Sequence, residues 1–185
     1  TCMDRYQPVL IGSVDDDWMY VSNRGDHTAA LKSDGHLFMW GTGSNGQLGT
    51  GNPVAEITVP TQIGGDIWIQ VEVGRMHTAG IKSDGSLWAW GANGSGQLGD
   101  GTLVESRIPT QVSAAGEIWT QVSTGWYFTL GIKDGKLYGT GDNFYGQIDL
   151  SPFTFRENFS QIGTDDNWAI VSAGYDHFLG IKQDG

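Results

Sequence analysis

The sequence repeats itself about every 50 residues, and this period constrains the fold more than any other feature. Tryptophans open four copies, at Trp18, Trp68, Trp119 and Trp168. Asp-Gly pairs recur in step with them, at Asp34, Asp84, Asp134 and Asp184. A unit of this size buries its apolar face only against its neighbours, so the copies should stack. We expect one domain over 1–185, with repeats at 18–67, 68–118 and 119–167 and a partial repeat at 168–185.

Each copy carries the signals of a β-hairpin. In the second copy, the apolar runs from His77 to Lys82 and from Ser86 to Trp90 flank an Asp84-Gly85 turn. Asp-Gly between two such runs is typical of a tight hairpin, because Gly adopts positive φ at little cost. The second run is apolar on both faces, which favours a sheet that is covered on both sides. No segment has a sustained 3.6-residue apolar period, so the sequence predicts an all-β fold of stacked blades.

Composition excludes several classes of function. The net charge is −11, and the chain has no basic patch, so a phosphate backbone would be repelled and we expect no nucleic-acid partner. The single cysteine, Cys2, rules out an internal disulfide framework. No apolar run approaches the length of a membrane span.

The repeated motif resembles the regulator of chromosome condensation repeat family. The pattern is a glycine, His-Thr, an apolar run, Asp-Gly, Trp-Gly and then Gly-Gln-Leu-Gly, which the second copy shows at Gly74, His77-Thr78, Asp84-Gly85, Trp90-Gly91 and 96–99. The resemblance implies a β-propeller, in typical members a ring of seven four-stranded blades. This chain would supply about three and a half of them. We therefore expect further blades, or a second chain, to complete the ring.

Candidate catalytic and metal-binding residues have simpler structural explanations. His27, His77 and His177 share one repeat position, but Phe128 takes that position in the third copy and cannot bind a metal. The repeated aspartates precede glycines in predicted turns, where Asp is favoured for backbone reasons. The Gly-Gln-Leu-Gly loops lead into no helix, which a phosphate-binding loop needs. We expect no catalytic residue, no metal site and no cofactor.

The candidate binding residues are aromatic side chains that break the repeat in the third copy. Trp126-Tyr127 replaces Arg75-Met76, and Phe144-Tyr145 replaces Gly94-Ser95. Both pairs lie in loops at the same predicted end of one blade. Exposed aromatic residues of this kind are typical anchors for a ligand, although they could instead pack on one another under an altered loop. Three further residues could extend the patch: Phe153, Phe155 and Arg156.

These observations predict a non-enzymatic binding or interaction module. Its propeller loops would present a surface to a protein or glycan partner, in a bacterial surface protein or a virion appendage. That role favours an extracellular, cell-surface or virion location over a cytoplasmic one. The resemblance leaves a guanine-nucleotide exchange factor for a small GTPase as one alternative, because the family includes such a protein. A structural assembly element is the other alternative.

Overall fold

A computed structural model describes residues 17–149 and 154–184, and within these ranges every regular element is a β-strand. The strands in chain order are β1 (Trp18–Arg24), β2 (His27–Lys32), β3 (Leu37–Thr42), β4 (Glu56–Gln62), β5 (Trp68–Val73), β6 (His77–Lys82), β7 (Leu87–Gly91), β8 (Ser106–Gln111), β9 (Trp119–Thr124), β10 (Phe128–Lys133), β11 (Lys136–Asn143), β12 (Thr154–Gln161), β13 (Trp168–Ala173) and β14 (Phe178–Lys182). They form three four-stranded antiparallel sheets in simple meander order, followed by one two-stranded hairpin. The prediction of an all-β partial propeller with about three and a half blades is confirmed.

The predicted hairpin turns occur between the second and third strands of the first three blades. Gly35 and Gly85 have φ values of +84° and +82°, as an Asp-Gly turn requires. The third blade has one residue fewer here, and its turn contains only Asp134 and Gly135 between paired Lys133 and Lys136. A two-residue turn of type I′ needs positive φ at both positions, and Asp134 accordingly has φ +53°. The missing residue therefore changes the turn type and leaves the register of the strands intact.

The first strands of successive blades lie next to one another, as strands around a propeller axis do. Their side chains hydrogen-bond to the backbone of the next blade. The Gln70 amide donates to the Val122 carbonyl at 2.9 Å and accepts from the Val122 N–H at 3.0 Å. Arg24 replaces the glycine of later copies, and its Nη2 atom donates to the Ala173 carbonyl at 2.8 Å, linking the first blade to the fourth.

The Gly-Gln loops join each blade to the following one. The Gln47 side chain closes its own loop by accepting from the Asn45 N–H at 2.8 Å. Its backbone carbonyl accepts two hydrogen bonds from the second blade, from Thr78 Oγ1 and Trp90 Nε1, both at 2.9 Å. Gln97 repeats the arrangement, and its carbonyl accepts from Thr129 Oγ1 at 2.7 Å. These loops are therefore inserted between blades, where their backbone groups are already used.

The repeated histidines complete the same junctions. His27 Nε2 lies 2.9 Å from Thr78 Oγ1, and His77 Nε2 lies 2.9 Å from Thr129 Oγ1. Because each threonine hydroxyl donates its only proton to a glutamine carbonyl, the histidine must be the donor and carries its proton on Nε2. Burial lowers the pKa of His27 to about 4 and that of His77 to about 3. Both side chains are therefore neutral inter-blade contacts.

The third junction replaces this polar pair by an apolar one. Phe128 takes the histidine position of the third blade, and Phe178 takes the threonine position of the fourth. The two belong to one apolar cluster, in which Phe128 is fully buried and Phe178 partly so. The histidine donor and the threonine hydroxyl that accepts from it are thus lost together.

At the end of the blades opposite the junction histidines, a lysine covers the tryptophan that opens each copy. Lys82 Nζ lies 5.2 Å from the Trp68 ring and 3.3 Å from the Trp88 ring, and it pairs with Asp66 at 3.0 Å. The same lysine position stacks on Trp18, Trp119 and Trp168 and pairs with an acidic residue in the other copies, as Lys32 with Asp17, Lys133 with Glu117 and Lys182 with Asp165. This repeated contact is a cation–π interaction supported by an ion pair.

The buried histidines predict that the fold loses stability in mild acid. The pKa values of folded His27 and His77 lie below the value of about 6.5 expected in the unfolded chain. From pH 6.5 down to about 4, the unfolded state therefore binds protons that the folded state does not. The free energy of unfolding should fall there by about 1.4 kcal/mol per pH unit for each histidine, as measured by urea unfolding.

The third junction supplies the matched control for this pH dependence. The double variant His77→Phe, Thr129→Phe copies the Phe128 and Phe178 pair. It should fold and lose about half of the slope between pH 6.5 and 4.5. An unchanged slope in this variant would contradict the assignment of the acid sensitivity to the junctions.

Candidate functional site

One end of the blades carries two sets of loops, and we call this end the loop rim. It contains the turns between the first and second strands, at 25–26, 74–76, 125–127 and 174–177, and the longer loops that follow the third strands. The register places both sets together, since Phe128 at the start of β10 pairs with Gly141 near the end of β11. The structure describes five of the aromatic candidates, and all five lie at or beside this rim on the third blade: Trp126, Tyr127, Phe144, Tyr145 and Phe155.

Trp126 is the centre of a stack that crosses three blades. The Arg75 guanidinium carbon lies 4.5 Å from the centre of the Trp126 ring, and the Tyr175 ring centre lies 3.5 Å from it at an interplanar angle of 38°. Tyr127 meets Trp126 edge-on at 6.1 Å and also lies 5.2 Å from Arg75. Trp126 and Tyr127 are half-buried as a result. Their rings pack on neighbouring blades and also border the solvent.

Phe144 and Tyr145 form a second, more exposed pair. Their exposed fractions are 49% and 69%, and their rings meet edge-on at 5.1 Å. The Asp142 N–H donates to the Tyr127 carbonyl at 2.8 Å, which joins the two loops through the backbone. Exposed rings held on a hydrogen-bonded loop present apolar area without a large ordering cost on binding.

The three residues predicted to extend the patch have different surroundings. Phe153 lies outside the described residues. Phe155 is 47% exposed and pairs in register with Asp142 on the neighbouring strand. Arg156 is held by Asp149, whose Oδ2 atom accepts from its Nη2 at 2.5 Å and from its Nε at 3.1 Å. Arg156 therefore ties Asp149, in the loop that follows β11, to strand β12.

A cavity of about 370 Å³ lies beside the stack, between the first and second blades. Arg75, Met76 and Trp126 line one part of it, and Asp26 and Asn45 line another. The Asn45 amide donates to Ser44 Oγ at 3.3 Å and to Met76 Sδ at 3.6 Å. The cavity is therefore lined by both polar and apolar groups, and it opens at the rim.

Two carboxylates give the rim of the third and fourth blades its charge. Asp142 is held in place, because it accepts from the Phe144 N–H at 3.1 Å and from Gln147 Nε2 at 3.2 Å. Asp176 has no hydrogen bond or ion pair with any residue that the structure describes. Burial raises the pKa of Asp176, and the nearby Asp142 carboxylate raises it further. Both effects disfavour an unpaired negative charge there.

Residues 17–149 and 154–184 contain no cluster of three or more histidine, cysteine, aspartate or glutamate side chains that could hold a metal ion. His27 and His77 are instead each bonded to a different threonine. In the same part of the chain, no helix is long and apolar enough to cross a membrane.

Sequence reasoning did not find Arg75, Tyr175 or Asp176. The sequence did carry a signal for Tyr175, because this residue takes the same repeat position as Trp126, directly after the glycine that recurs in the motif. Arg75 also takes that position, so the stack consists of one repeat position from three consecutive copies. Aligning the copies therefore identifies the stack, whereas a search for departures from the motif identifies only Trp126.

Comparisons with known proteins agree with this architecture. One model of the regulator of chromosome condensation (RCC1) repeat matches residues 34–81 and 84–132, and a second RCC1 repeat model matches 68–97 and 119–147. The ultraviolet-B receptor UVR8 of Arabidopsis thaliana is 34% identical over 170 residues, covering 88% of this chain and 38% of UVR8.

Solved structures show the same fold. Human WBSCR16 superposes with a TM-score of 0.81 at 21% identity, covering 93% of this chain and 46% of that one. Prp20p of Saccharomyces cerevisiae, described with its binding properties to Gsp1p and histones, superposes with a TM-score of 0.78 at 20% identity, covering 90% and 44%. The chain thus spans less than half the length of the relatives that it matches.

Two variants should distinguish rim side chains that stabilise the fold from those that are mainly exposed to solvent. Trp126→Ala should lower the free energy of unfolding by about 1–3 kcal/mol, because Arg75 and Tyr175 both pack on the lost ring. Phe144→Ser with Tyr145→Ser should cost less than about 1 kcal/mol, because both rings are largely exposed. Urea unfolding measures both values. An equal loss in the two proteins would mean that the exposed pair supports the fold.

Proposed function

Because the chain belongs to the regulator of chromosome condensation (RCC1) repeat family, we propose that it is a non-enzymatic binding module whose loop rim on the third and fourth blades contacts a protein. The observation that carries this proposal is the exposure of Phe144, Tyr145 and Tyr175 at one end of two neighbouring blades. Large aromatic side chains are the commonest energetic anchors of protein interfaces. A repeat protein offers its loops for this purpose while its strands maintain the scaffold.

The arrangement of the rings favours a protein over a glycan. A sugar ring commonly stacks on one open aromatic face, but the Trp126 ring already has Arg75 and Tyr175 against it. The exposed rings of Phe144 and Tyr145 stand edge-on to each other, so they present a convex and irregular apolar surface. Such a surface suits a partner that supplies a complementary pocket.

Photo-crosslinking tests the binding proposal. With benzoylphenylalanine at position 145, the full chain should form a discrete adduct in an extract of the organism that encodes it. The same group at Ser83, in a turn at the opposite end of the blades, should form none. The captured protein, once purified, should bind the unmodified chain directly.

A matched pair of variants then assigns the binding surface. Phe144→Ser with Tyr145→Ser should weaken the affinity for the purified partner at least about tenfold, as loss of an aromatic anchor does. Val59→Ser removes an apolar side chain that is 62% exposed on the outermost strand of the first blade, and it should change nothing. Equal affinity of both variants would refute the rim as the binding surface.

A second candidate function is assembly through the end blades. It is favoured by apolar side chains that are exposed in the end blades but buried at the equivalent positions of the inner blades. Val71 is fully buried, whereas the equivalent Val21 in the first blade is 62% exposed. Ile81 is fully buried, whereas the equivalent Ile181 in the fourth blade is 56% exposed. The inner copies bury these side chains against another blade, so the end faces fit further blades of the same type. The nucleotide-exchange alternative stays a prediction of the family resemblance.

Light scattering tests assembly by copies of this chain. The unmodified chain should have a mass above that of a monomer, and the mass should rise with concentration. Val21→Lys and Ile181→Lys place a charge on each end face and should return the mass to that of a monomer. A monomer at every concentration of the unmodified chain would contradict self-assembly through these faces.

A further inference from the structure

The carboxylate of Asp176 lies on the loop rim and has no hydrogen bond or ion pair with any described residue. The charge of the adjacent His177 favours the ionised carboxylate of Asp176, but this effect is smaller than the opposing effects of burial and of Asp142. Two arginines of the rim are already engaged, since Arg75 stacks on Trp126 and Arg156 is held by Asp149. Asp142 adds a second negative charge close enough to raise the pKa of Asp176. Partly desolvated carboxylates of like charge are stabilised by a cation placed between them. Within the described part of the chain, no lysine or arginine side chain forms an ion pair with Asp176.

Two tyrosines that contact Trp126 lie on the same part of the rim as Asp176. Tyr127 occupies the same repeat position as Asp176 on the adjoining blade, and Tyr175 precedes Asp176 in the same turn. Tyr175 is 47% exposed. A guanidinium group is stabilised both by an aromatic face and by a carboxylate, and the rim offers the two together. Arg75 on Trp126, one blade away, is an example within this protein of a guanidinium resting on the same stack.

The charge of the whole chain acts in the same direction. With a net charge of −11, the protein attracts basic partners at long range and repels acidic ones. An acidic protein segment or a nucleic acid would meet both this repulsion and the local charges of Asp142 and Asp176. A basic protein segment is instead attracted both by the net charge and by these two carboxylates.

We propose that the partner at the loop rim is a basic protein segment that places an arginine against Tyr127 and Tyr175, between the carboxylates of Asp142 and Asp176. This inference rests on the proposed function, because it specifies the chemistry of the partner at the same surface. The exposed Phe144 and Tyr145 then supply the apolar part of the interface. Arginine fits better than lysine, because its planar group can stack on a ring while it donates to both carboxylates.

A capped peptide of alternating arginine and glycine is the probe for this site. In NMR titrations of the full chain, it should shift the amide signals of Tyr127, Asp142, Tyr175 and Asp176, with an affinity that falls as salt is added. The citrulline version keeps the planar shape and length of the side chain but has no charge and fewer hydrogen-bond donors. It should leave these signals unchanged. Equal binding of both peptides, or no binding of the arginine peptide at millimolar concentration, overturns the proposal.

Asp176→Asn tests the carboxylate without a change of shape. It should weaken binding of the arginine peptide by roughly threefold to tenfold. Asp166→Asn removes the same charge from an exposed position at the opposite end of the fourth blade, and it should have a much smaller effect. Equal effects of the two variants would mean that only the net charge matters, and the specific site would be refuted.

The partner captured by crosslinking separates this inference from the proposed function. If Asp176→Asn leaves its affinity unchanged while Phe144→Ser with Tyr145→Ser reduces it, the rim is a protein-binding surface and the basic partner is wrong. If neither variant changes the affinity, both proposals fail. If both variants weaken binding, both are supported.

Discussion

The contact on which the stacking of this protein depends is a backbone carbonyl inserted into the next blade. Gln47 holds its loop closed with its side chain, and this leaves its carbonyl directed at Thr78 and Trp90 of the second blade. The same carbonyl position in Gln97 serves Thr129. An unpaired carbonyl buried at such a junction would cost about 1–3 kcal/mol. The loop motif and the threonine and tryptophan of the following copy are therefore one structural unit, although they are distant in sequence.

This dependence explains why the altered third copy still fits its neighbours. Phe128 removes a hydrogen-bond donor, and Phe178 removes the group that would have accepted from it. Thr140 takes the place of a buried tryptophan, and its hydroxyl lies 2.8 Å from the Gly96 carbonyl. The volume of the lost indole is replaced from another strand, since the Phe159 ring lies 5.0 Å from Trp119 where Trp90 lies 5.5 Å from Trp68. Changes at a junction thus occur in compensating sets.

The sequence predicts features that depend on neighbouring residues, and it misses those that depend on contact between copies. The turn at Asp84-Gly85 and the shortened turn at Asp134 follow from local turn chemistry. The bond between His27 and Thr78 joins residues of different blades, so only the packing of the blades reveals it. At the rim, Trp126 was visible as a departure from the motif. Tyr175 was not, because its importance comes from stacking on a ring of another copy.

The rim position of the stack is free to vary because the junctions do not use its side chain. Gly25, Arg75, Trp126 and Tyr175 are equivalent in the four copies, and they differ in size, charge and polarity. The position two residues later varies less, since it holds the buried junction residue in the first three copies, His27, His77 and Phe128. The hydrogen bonds of the junctions and the surface chemistry of the rim therefore depend on different positions of one repeat. A fold that separates them in this way can place aromatic and acidic groups on one part of its rim without weakening the contacts that hold its blades together.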